Sequence, residues 1–459
     1  MSTDRVIFVC HGCGASVEAA RALPFRCPAA RDVDDVDHVL AAVDGAVPPA
    51  AAPSALSLAS RAAAGFAVME VGGSAPDAPG SGVNQNPFVR YRALLSPYRL
   101  ARAAGLSDAA WADIVGDLDR ALVTVDGRGF RVTPLAPQPG LALAAGLPGP
   151  LWVKDETGNV SGSHKARHLM GVMLYLRVLE AAHLPAGEGV RLRRLAIASC
   201  GNAALAAAVI ARAAQWPLDV FIPPDASDGV VRRLRDLGSR ITVCERRAGE
   251  AGDPCFLRFR EAVSAGAIPF GVQGTENGLA IEGGRTLAFE MAEGFRDAGA
   301  APDVLFAQVG GGALASALGQ GFAMSAAAGV LARAPRLVAV QTTGCAPLAR
   351  AWERLDAVPL ADAARTRSRF MWPWEATPAS IAHGILDDET YDWWSIAEAM
   401  RATGGGTAVV DEATLARARD LAARHTSIAV SATGTAGLAG ALATRPSGCV
   451  AVVFSGCER

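Results

Sequence analysis

The sequence predicts an α/β protein with two parallel sheets, each covered by helices on both faces, behind a short cysteine-bearing segment. Three observations carry this reading. From about Leu151 onward, short continuous apolar runs alternate with Ala/Leu-rich stretches of helical length, the pattern of strands buried on both faces. The alternation falls into two series, which calls for two sheets. Of the 459 residues, 51% are hydrophobic and 19% charged, ample for large cores and, at roughly 150 residues per domain, for two or three of them.

In chain order, residues 1–45 come first. Cys10-His11-Gly12-Cys13 and then Cys27-Pro28 give a C-x2-C and a third cysteine, the beginning of a zinc-ribbon pattern. No fourth cysteine follows nearby, and His38 is the one plausible substitute ligand. Cys10, Cys13 and Cys27 therefore read as a remnant zinc site in a hairpin that has lost its metal, and no metal is expected. Residues 46–87, rich in Ala, Pro, Gly and Ser, read as a linker or arm. The first series places strands at 195–199, 218–223 and 240–245, followed by helices at 202–214, 228–237 and 254–265. The second places strands at 304–309, 336–343, 407–410 and 427–431, followed by helices at 313–326, 346–355, 411–424 and 433–443. A last strand at 449–455 closes the chain.

Composition excludes several classes. A formal charge of −2, from 43 basic and 45 acidic residues, gives no reason to expect binding to nucleic acid or anionic lipid. The 49 glycines and 27 prolines stay below the share of roughly 25–30% that marks low complexity. The uncharged stretch Val304–Ala332 is long enough to span a bilayer, but its glycines, glutamines and serine suit a buried strand, a turn and a helix better. Nine cysteines, an odd number, suit a reducing compartment, and the first residues carry no long apolar signal core. The expectation is a soluble cytoplasmic protein.

Four segments carry chemistry. In VKDETGNVSGSHKARHLMGVMLYL (153–176) a strand ends in a polar turn and a helix begins with Lys165 in its first turn. Ser161 and Ser163 are candidate caps. A lysine there opposes the helix dipole, which destabilises its ammonium and favours an imine-forming amine; the alternative is an ordinary solvated lysine. In LAIASCGNAALAAAVIA (195–211), Ser199-Cys200-Gly201-Asn202 lies between a strand and a helix start, where free N–H groups can hold a carboxylate; alone it reads as a capping turn. In VLFAQVGGGALASALGQGF (304–322), Gly310-Gly311-Gly312 can wrap an anion with backbone N–H groups. It matches neither the dinucleotide fingerprint nor a P-loop, so a phosphorylated cofactor fits it better than a nucleotide. In CVAVVFSGCER (449–459), a strand ends in Ser455-Gly456, whose hydroxyl could bond a ring nitrogen without protonating it.

In this order the four segments resemble the fold-type II family of pyridoxal 5′-phosphate enzymes: threonine synthase, serine/threonine dehydratases and the tryptophan synthase β chain. The resemblance covers about residues 85–459. Arg90-Tyr91, Thr133-Pro134-Leu135 and AIEGGRTLAFEM (280–291) also look like threonine synthase. It implies two parallel-sheet domains of the tryptophan synthase β type, with 88–160 and 276–459 forming the larger, 161–275 the smaller, and a degenerate zinc-ribbon-like appendage in front. It further implies that Lys165 forms the Schiff base with pyridoxal 5′-phosphate. Asn202 would contact the cofactor's 3′ oxygen, Gly310, Gly311, Gly312, Ala313 and Leu314 would cradle its phosphate, and Ser455 would face the ring nitrogen. His164 resembles the His-Lys pair of the tryptophan synthase β chain, as a phosphate contact or as a partner for a nearby carbonyl. Ser161, Ser199, Cys200 and Gly201 would receive the substrate. Family members are commonly dimers, so a homodimer is expected.

The expected reaction is β-elimination from a β-substituted L-amino acid through an aminoacrylate, of the dehydratase or ammonia-lyase type. The alternative is a threonine synthase-like or other β/γ-replacement enzyme. Ser-His-Lys-Ala-Arg (163–167), where threonine synthase has Ser-Phe-Lys-Asp-Arg, and Ser455 in place of its Thr lean toward elimination. A catalytically silent relative is disfavoured by the intact lysine, asparagine, glycines and serine, and a nicotinamide oxidoreductase by the missing fingerprint. The segment 371–394, with four tryptophans, His383 and Asp387-Asp388-Glu389, reads as a substrate-side loop or equally as an interface or core patch.

Overall fold

The computed structural model describes residues 5–31, 34–43, 85–250 and 252–458. Most of the expected arm, residues 46–84, lies outside the described residues. At the front, β1 (Ile7–Cys10) pairs antiparallel with β2 (Ser16–Glu18) and β3 (Leu40–Val43) in a three-stranded sheet.

The larger sheet has six strands: β4 (Leu135–Pro137), β5 (Leu151–Asp155), β10 (Val304–Gln308), β11 (Arg336–Thr342), β12 (Gly406–Val410) and β13 (Val450–Phe454). Their order is β12-β11-β10-β13-β5-β4, and all neighbours are parallel except β4 and β5. Continuous apolar strands arise here because alternate residues bury on opposite faces. In β10, Leu305 and Ala307 enter one core while Val304 and Phe306 enter the other; β13 divides Ala451 and Val453 from Val450, Val452 and Phe454 in the same way. A second sheet, all parallel, runs β8-β7-β6-β9, from β6 (Leu195–Ala198), β7 (Leu218–Ile222), β8 (Arg240–Val243) and β9 (Ile268–Pro269).

Two helices join the sheets. Helix Lys165–Ala181 crosses helix Ala280–Asp297 so closely that a Cβ on Gly171 would lie 3.0 Å from the Gly283 Cα. Glycine is required there by close backbone approach. The next residue, Gly284, leaves room for the His168 ring, which a side chain at 284 would strike. Below this crossing lies a charge network with no exposure at its ion pairs. Glu290 bonds Lys154 Nζ at 2.6 Å and Arg167 Nη1 at 2.6 Å; Glu156 takes Arg167 Nε at 2.8 Å and Nη2 at 2.9 Å. Lys154 Nζ also donates to the Thr133 carbonyl at 2.7 Å, and Arg167 to Thr286 Oγ1 at 3.1 Å. The threonine of the TPL motif and the EGGRTLAFEM helix thus meet at one point.

Helix and strand positions otherwise follow the expected alternation, with three differences. The run SIAVS (427–431) is not a strand: Val430 makes a single bridge to Cys457, and Ser431 instead caps helix Ala432–Thr444 by accepting from the Gly434 N–H at 3.3 Å. Strands β4 and β9, of three and two residues, have too little apolar run to be read from sequence. Neither Ser161 nor Ser163 caps the Lys165 helix with its side chain. Ser161 sits at φ +56° in a turn with Gly162 at φ +72°, its N–H donating to Asp126 at 2.8 Å, and Ser163 is extended. The stretch Val304–Ala332 is a strand, a glycine turn and a buried helix, as expected. Among the described residues no single helix is long and apolar enough to cross a membrane.

Removing a shared counter-ion from a buried network leaves uncompensated charge, typically at a cost of about 3–5 kcal/mol. Glu290→Gln should lower the unfolding free energy by about that amount in a urea titration of cofactor-free protein. A loss under about 1 kcal/mol would show that the network does not hold the crossing together.

Candidate active site

The parallel sheets bring several loops together beyond the carboxyl ends of their strands, where open α/β folds place ligands. Strands β5 and β13 are paired from Leu151↔Val450 to Asp155↔Phe454, so the turn leading to Lys165 runs beside Ser455. Glu156 N–H donates to the Phe454 carbonyl at 2.8 Å, and Cys457 N–H to the Gly162 carbonyl at 3.0 Å. The contact is closest at His164: its backbone N–H donates to Ser455 Oγ at 3.0 Å, and its Nδ1 lies 2.5 Å from the same oxygen. Both residues are buried. Burial, then the neighbouring Lys165, His168 and Arg167, hold the His164 imidazole well below its ordinary pKa, so it is neutral.

Lys165 opens its helix, as the sequence suggested. Burial pushes its ammonium down from the usual lysine range, while Asp387 and Asp392 pull it partly back. The chain contains two lysines in all, Lys154 and Lys165. Lys154 is fully buried and committed to Glu290 and Thr133, so Lys165 is the one amine of the pair with freedom to react. That scarcity was legible in the sequence and is the strongest single pointer to this residue. Its neighbour His168 donates from Nδ1 to the Ala280 carbonyl at 2.7 Å, and burial beside Lys165 pushes it down to about 3.

Gly310, Gly311 and Gly312 link β10 to helix Ala313–Ala327, with Gly312 at φ +103° and Ala313 and Leu314 buried in the first turn. The Gly311 N–H donates to Asp387 Oδ2 at 2.7 Å, so a carboxylate oxygen of the chain itself rests in this cradle. A side chain at 310 would strike Asp387 and the Ile385 backbone; one at 311 would crowd Tyr391. Asn202 begins helix Asn202–Ala213, and its Nδ2 would lie 2.7 Å from a Cβ on Gly456, next to Ser455. Ser199 Oγ accepts from the Gly201 N–H at 3.3 Å, and Cys200 is exposed beside it. Asp387 acts electrostatically on both Cys200 and Lys165, so the SCGN turn and the lysine face the same acid. Ser161 is set back from this group, tied to Asp126.

An anion-bearing cofactor with a reactive carbonyl fits these residues. The Asp387 carboxylate stands in the cradle for a phosphate oxygen. Two buried polar atoms beside Lys165, Ser163 Oγ and His164 Nε2, have no protein partner among the described residues. Sequence reasoning singled out Asp387 only as part of a loop; its contact with Gly311, 76 positions earlier, carries no local signal.

The fold and site together define an α/β enzyme with a buried lysine amine facing a glycine-lined anion cradle. The chain belongs to the pyridoxal-phosphate dependent enzyme family, whose model matches residues 128–456, and pyridoxal phosphate is its cofactor. Among curated relatives, rat serine dehydratase-like is 30% identical over 188 residues, covering 40% of this chain and 50% of the relative. The threonine synthase of Synechocystis is 28% identical over 270 residues, covering 58% and 65%. The chain therefore spans about half the length of the rat protein it matches. Solved structures share the fold: maize serine racemase at TM-score 0.56 and 19% identity, covering 75% of this chain and 93% of that one. Escherichia coli diaminopropionate ammonia lyase gives 0.56 and 18%, covering 76% and 89%.

Asp392, which also influences Lys165, is pushed up to about 8 by burial. A carboxyl that holds its proton more tightly folded than unfolded loses stability as pH rises from its unfolded value near 3.8 toward 8. In cofactor-free protein, Asp392→Asn should remove up to about 1.4 kcal/mol of this decline per pH unit, read from urea midpoints at pH 5 and pH 8. Equal slopes in variant and wild type would mean that Asp392 is ionised at neutral pH.

Proposed function

We propose that the protein is a pyridoxal-phosphate-dependent lyase that removes ammonia and a β-substituent from an L-amino acid, leaving a 2-oxo acid. The observation that carries this reading is Ser455, buried at the end of β13 and bonded to a neutral His164. With Nδ1 protonated, His164 gives Ser455 Oγ two N–H donors, and the serine's own O–H would remain to bond the ring nitrogen. A hydroxyl there bonds that nitrogen without charging it, whereas a carboxylate would favour its protonation. An uncharged ring suits loss of a β-leaving group more than transamination.

The bound cofactor supplies the electron sink that makes the substrate Cα proton removable. The chain does the rest. Burial shifts Lys165 Nζ toward its neutral form, against Asp387 and Asp392; this amine would hold the cofactor's carbonyl carbon and would serve as the base for the substrate Cα proton. Gly310, Gly311 and Gly312, with Ala313 and Leu314, would hold the phosphate, in competition with Asp387 for the Gly311 N–H. Asn202 would bond the 3′ oxygen, and the Ser199-Cys200-Gly201 turn would receive the substrate carboxylate through backbone N–H groups. The serine dehydratase-like relative and the diaminopropionate ammonia lyase neighbour are consistent with the elimination reading. The longer alignment with threonine synthase supports a second one, replacement at the β or γ carbon.

Purified, cofactor-loaded protein should release ammonia from at least one of serine, threonine, 3-hydroxyaspartate and 2,3-diaminopropionate, and Lys165→Ala should abolish both that release and the visible absorption of bound cofactor. Phosphate released from O-phosphohomoserine without ammonia from any of the four would move the protein to the replacement reading. Turnover and visible absorption surviving in Lys165→Ala would remove the lysine from its role.

A further inference from the structure

Outside the site just described, a group of metal-type donors gathers in the N-terminal sheet. Cys10 ends β1, Cys13 follows in the tight turn closed by Gly14 at φ +76°, Cys27 lies in the next turn, and His38 leads into β3. The antiparallel register sets Cys10 opposite Leu40, which carries His38 back to the turn. Cys10 Sγ is 3.5 Å from His38 Nδ1, Cys13 Sγ is 3.5 Å from Cys27 Sγ, and all four donor atoms lie within 4.8 Å of one another. A tetrahedral zinc with Zn–S near 2.3 Å and Zn–N near 2.0 Å needs donor–donor edges of about 3.5–3.8 Å. The sulfurs are too far apart for a disulfide, which needs about 2.05 Å.

The surroundings are those of a ligand set. His38 Nε2 lies 3.1 Å from Asp34 Oδ2, a carboxylate–histidine pair that leaves Nδ1 as the free donor to a metal. Asp34 is itself fixed by the N–H groups of Arg31 and Val36 at 3.2 and 3.4 Å. Backbone N–H groups of Gly12 and Cys13 point at the Cys10 sulfur, and that of Ala29 at Cys27. With a metal bound, these N–H groups would be donors to the two ligand sulfurs. Three sulfurs and one imidazole select zinc among common divalent ions, and four protein donors leave no open position.

We propose that Cys10, Cys13, Cys27 and His38 bind one structural zinc ion. The fourth ligand that the sequence left in doubt is His38. The ion also has something to hold. Residues 34–38, which end at the ligand His38 just before β3, dock on residues 364–368, ahead of Asp387 in the chain: Arg367 N–H donates to the Asp35 carbonyl at 2.8 Å, Asp37 N–H to the Ala364 carbonyl at 2.7 Å, and Ser368 N–H to Asp35 Oδ1 at 2.6 Å. His11, between two ligands, bonds Asp37 at 2.9 Å and stacks on Trp394 at 4.3 Å. Arg367 then pairs with both Asp37 and Glu389, two positions from Asp387. Zinc thus fixes the outer wall of the segment that fills the glycine cradle.

Metal analysis of the full-length protein, purified without added metal or chelator, should find about one zinc per chain. Cys13→Ser and His38→Ala should each reduce this to about 0.1 or less, and Cys449→Ser, a control outside the cluster, should keep it. For wild type, a mercurial thiol reagent should release the zinc to a colorimetric chelator, and stripping it should lower the unfolding temperature, with zinc but not magnesium restoring it. This second measurement holds even where a ligand variant fails to fold. No divalent transition metal above about 0.1 per chain, a Cys13–Cys27 disulfide found by mass spectrometry, or equal loss of zinc in Cys449→Ser would overturn the proposal.

Discussion

The buried ion network centred on Glu290 holds the start of the helix that carries Lys165. It gathers Lys154 from β5, Glu156 from the turn after it, Arg167 from the lysine helix and Thr133 from the preceding segment onto one helix, Ala280–Asp297. Such an arrangement is costly to desolvate and costlier to break. Its value lies in placement: Arg167 stands two residues after Lys165, so anchoring the guanidinium fixes where the reactive amine starts its helix. Arg90 and Tyr91 reach the same helix one turn further on, both meeting Glu293 at 2.9 and 2.6 Å. The threonine synthase-like motifs outside the site are thus a frame around one helix.

With the helix start fixed, the electrostatics around Lys165 oppose one another. Burial favours the neutral amine; Asp387 and Asp392 favour the ammonium. Burial acts on the acids too, raising both from the ordinary carboxylate value, Asp392 to about 8. The Gly311 N–H is held by the Asp387 carboxylate, so a phosphate in the glycine cradle would compete with this acidic segment for the same donor. The N-terminal sheet enters the same account through Asp35, Asp37 and Arg367, which grip the segment from its outer side.

Much of this was legible in the sequence. Continuous apolar runs gave the parallel strands because burial on both faces removes polar alternation, and three consecutive glycines after a strand marked the cradle. The same reasoning misread SIAVS, since an apolar run of five residues looks alike in a strand and in a loop lying against a core. It passed over β4, a short antiparallel edge strand ending in Pro137. Long-range pairings had no local signature: His164 meets Ser455 across 291 positions. His38 could be named from the sequence as a substitute ligand, but that it reaches the three cysteines follows from a strand register. Side-chain roles at these points follow from topology, which a single sequence does not print.

The central claim is that Lys165 is the amine that holds the cofactor, and the chain's two lysines make it open to a direct measurement. Borohydride reduction of the cofactor-loaded protein fixes the cofactor to whichever amine holds it, and peptide mass spectrometry then locates the added mass. The account predicts the adduct on the peptide containing Lys165, with Lys154 unmodified. An adduct on Lys154, or no lysine adduct in protein that has bound cofactor, would contradict it.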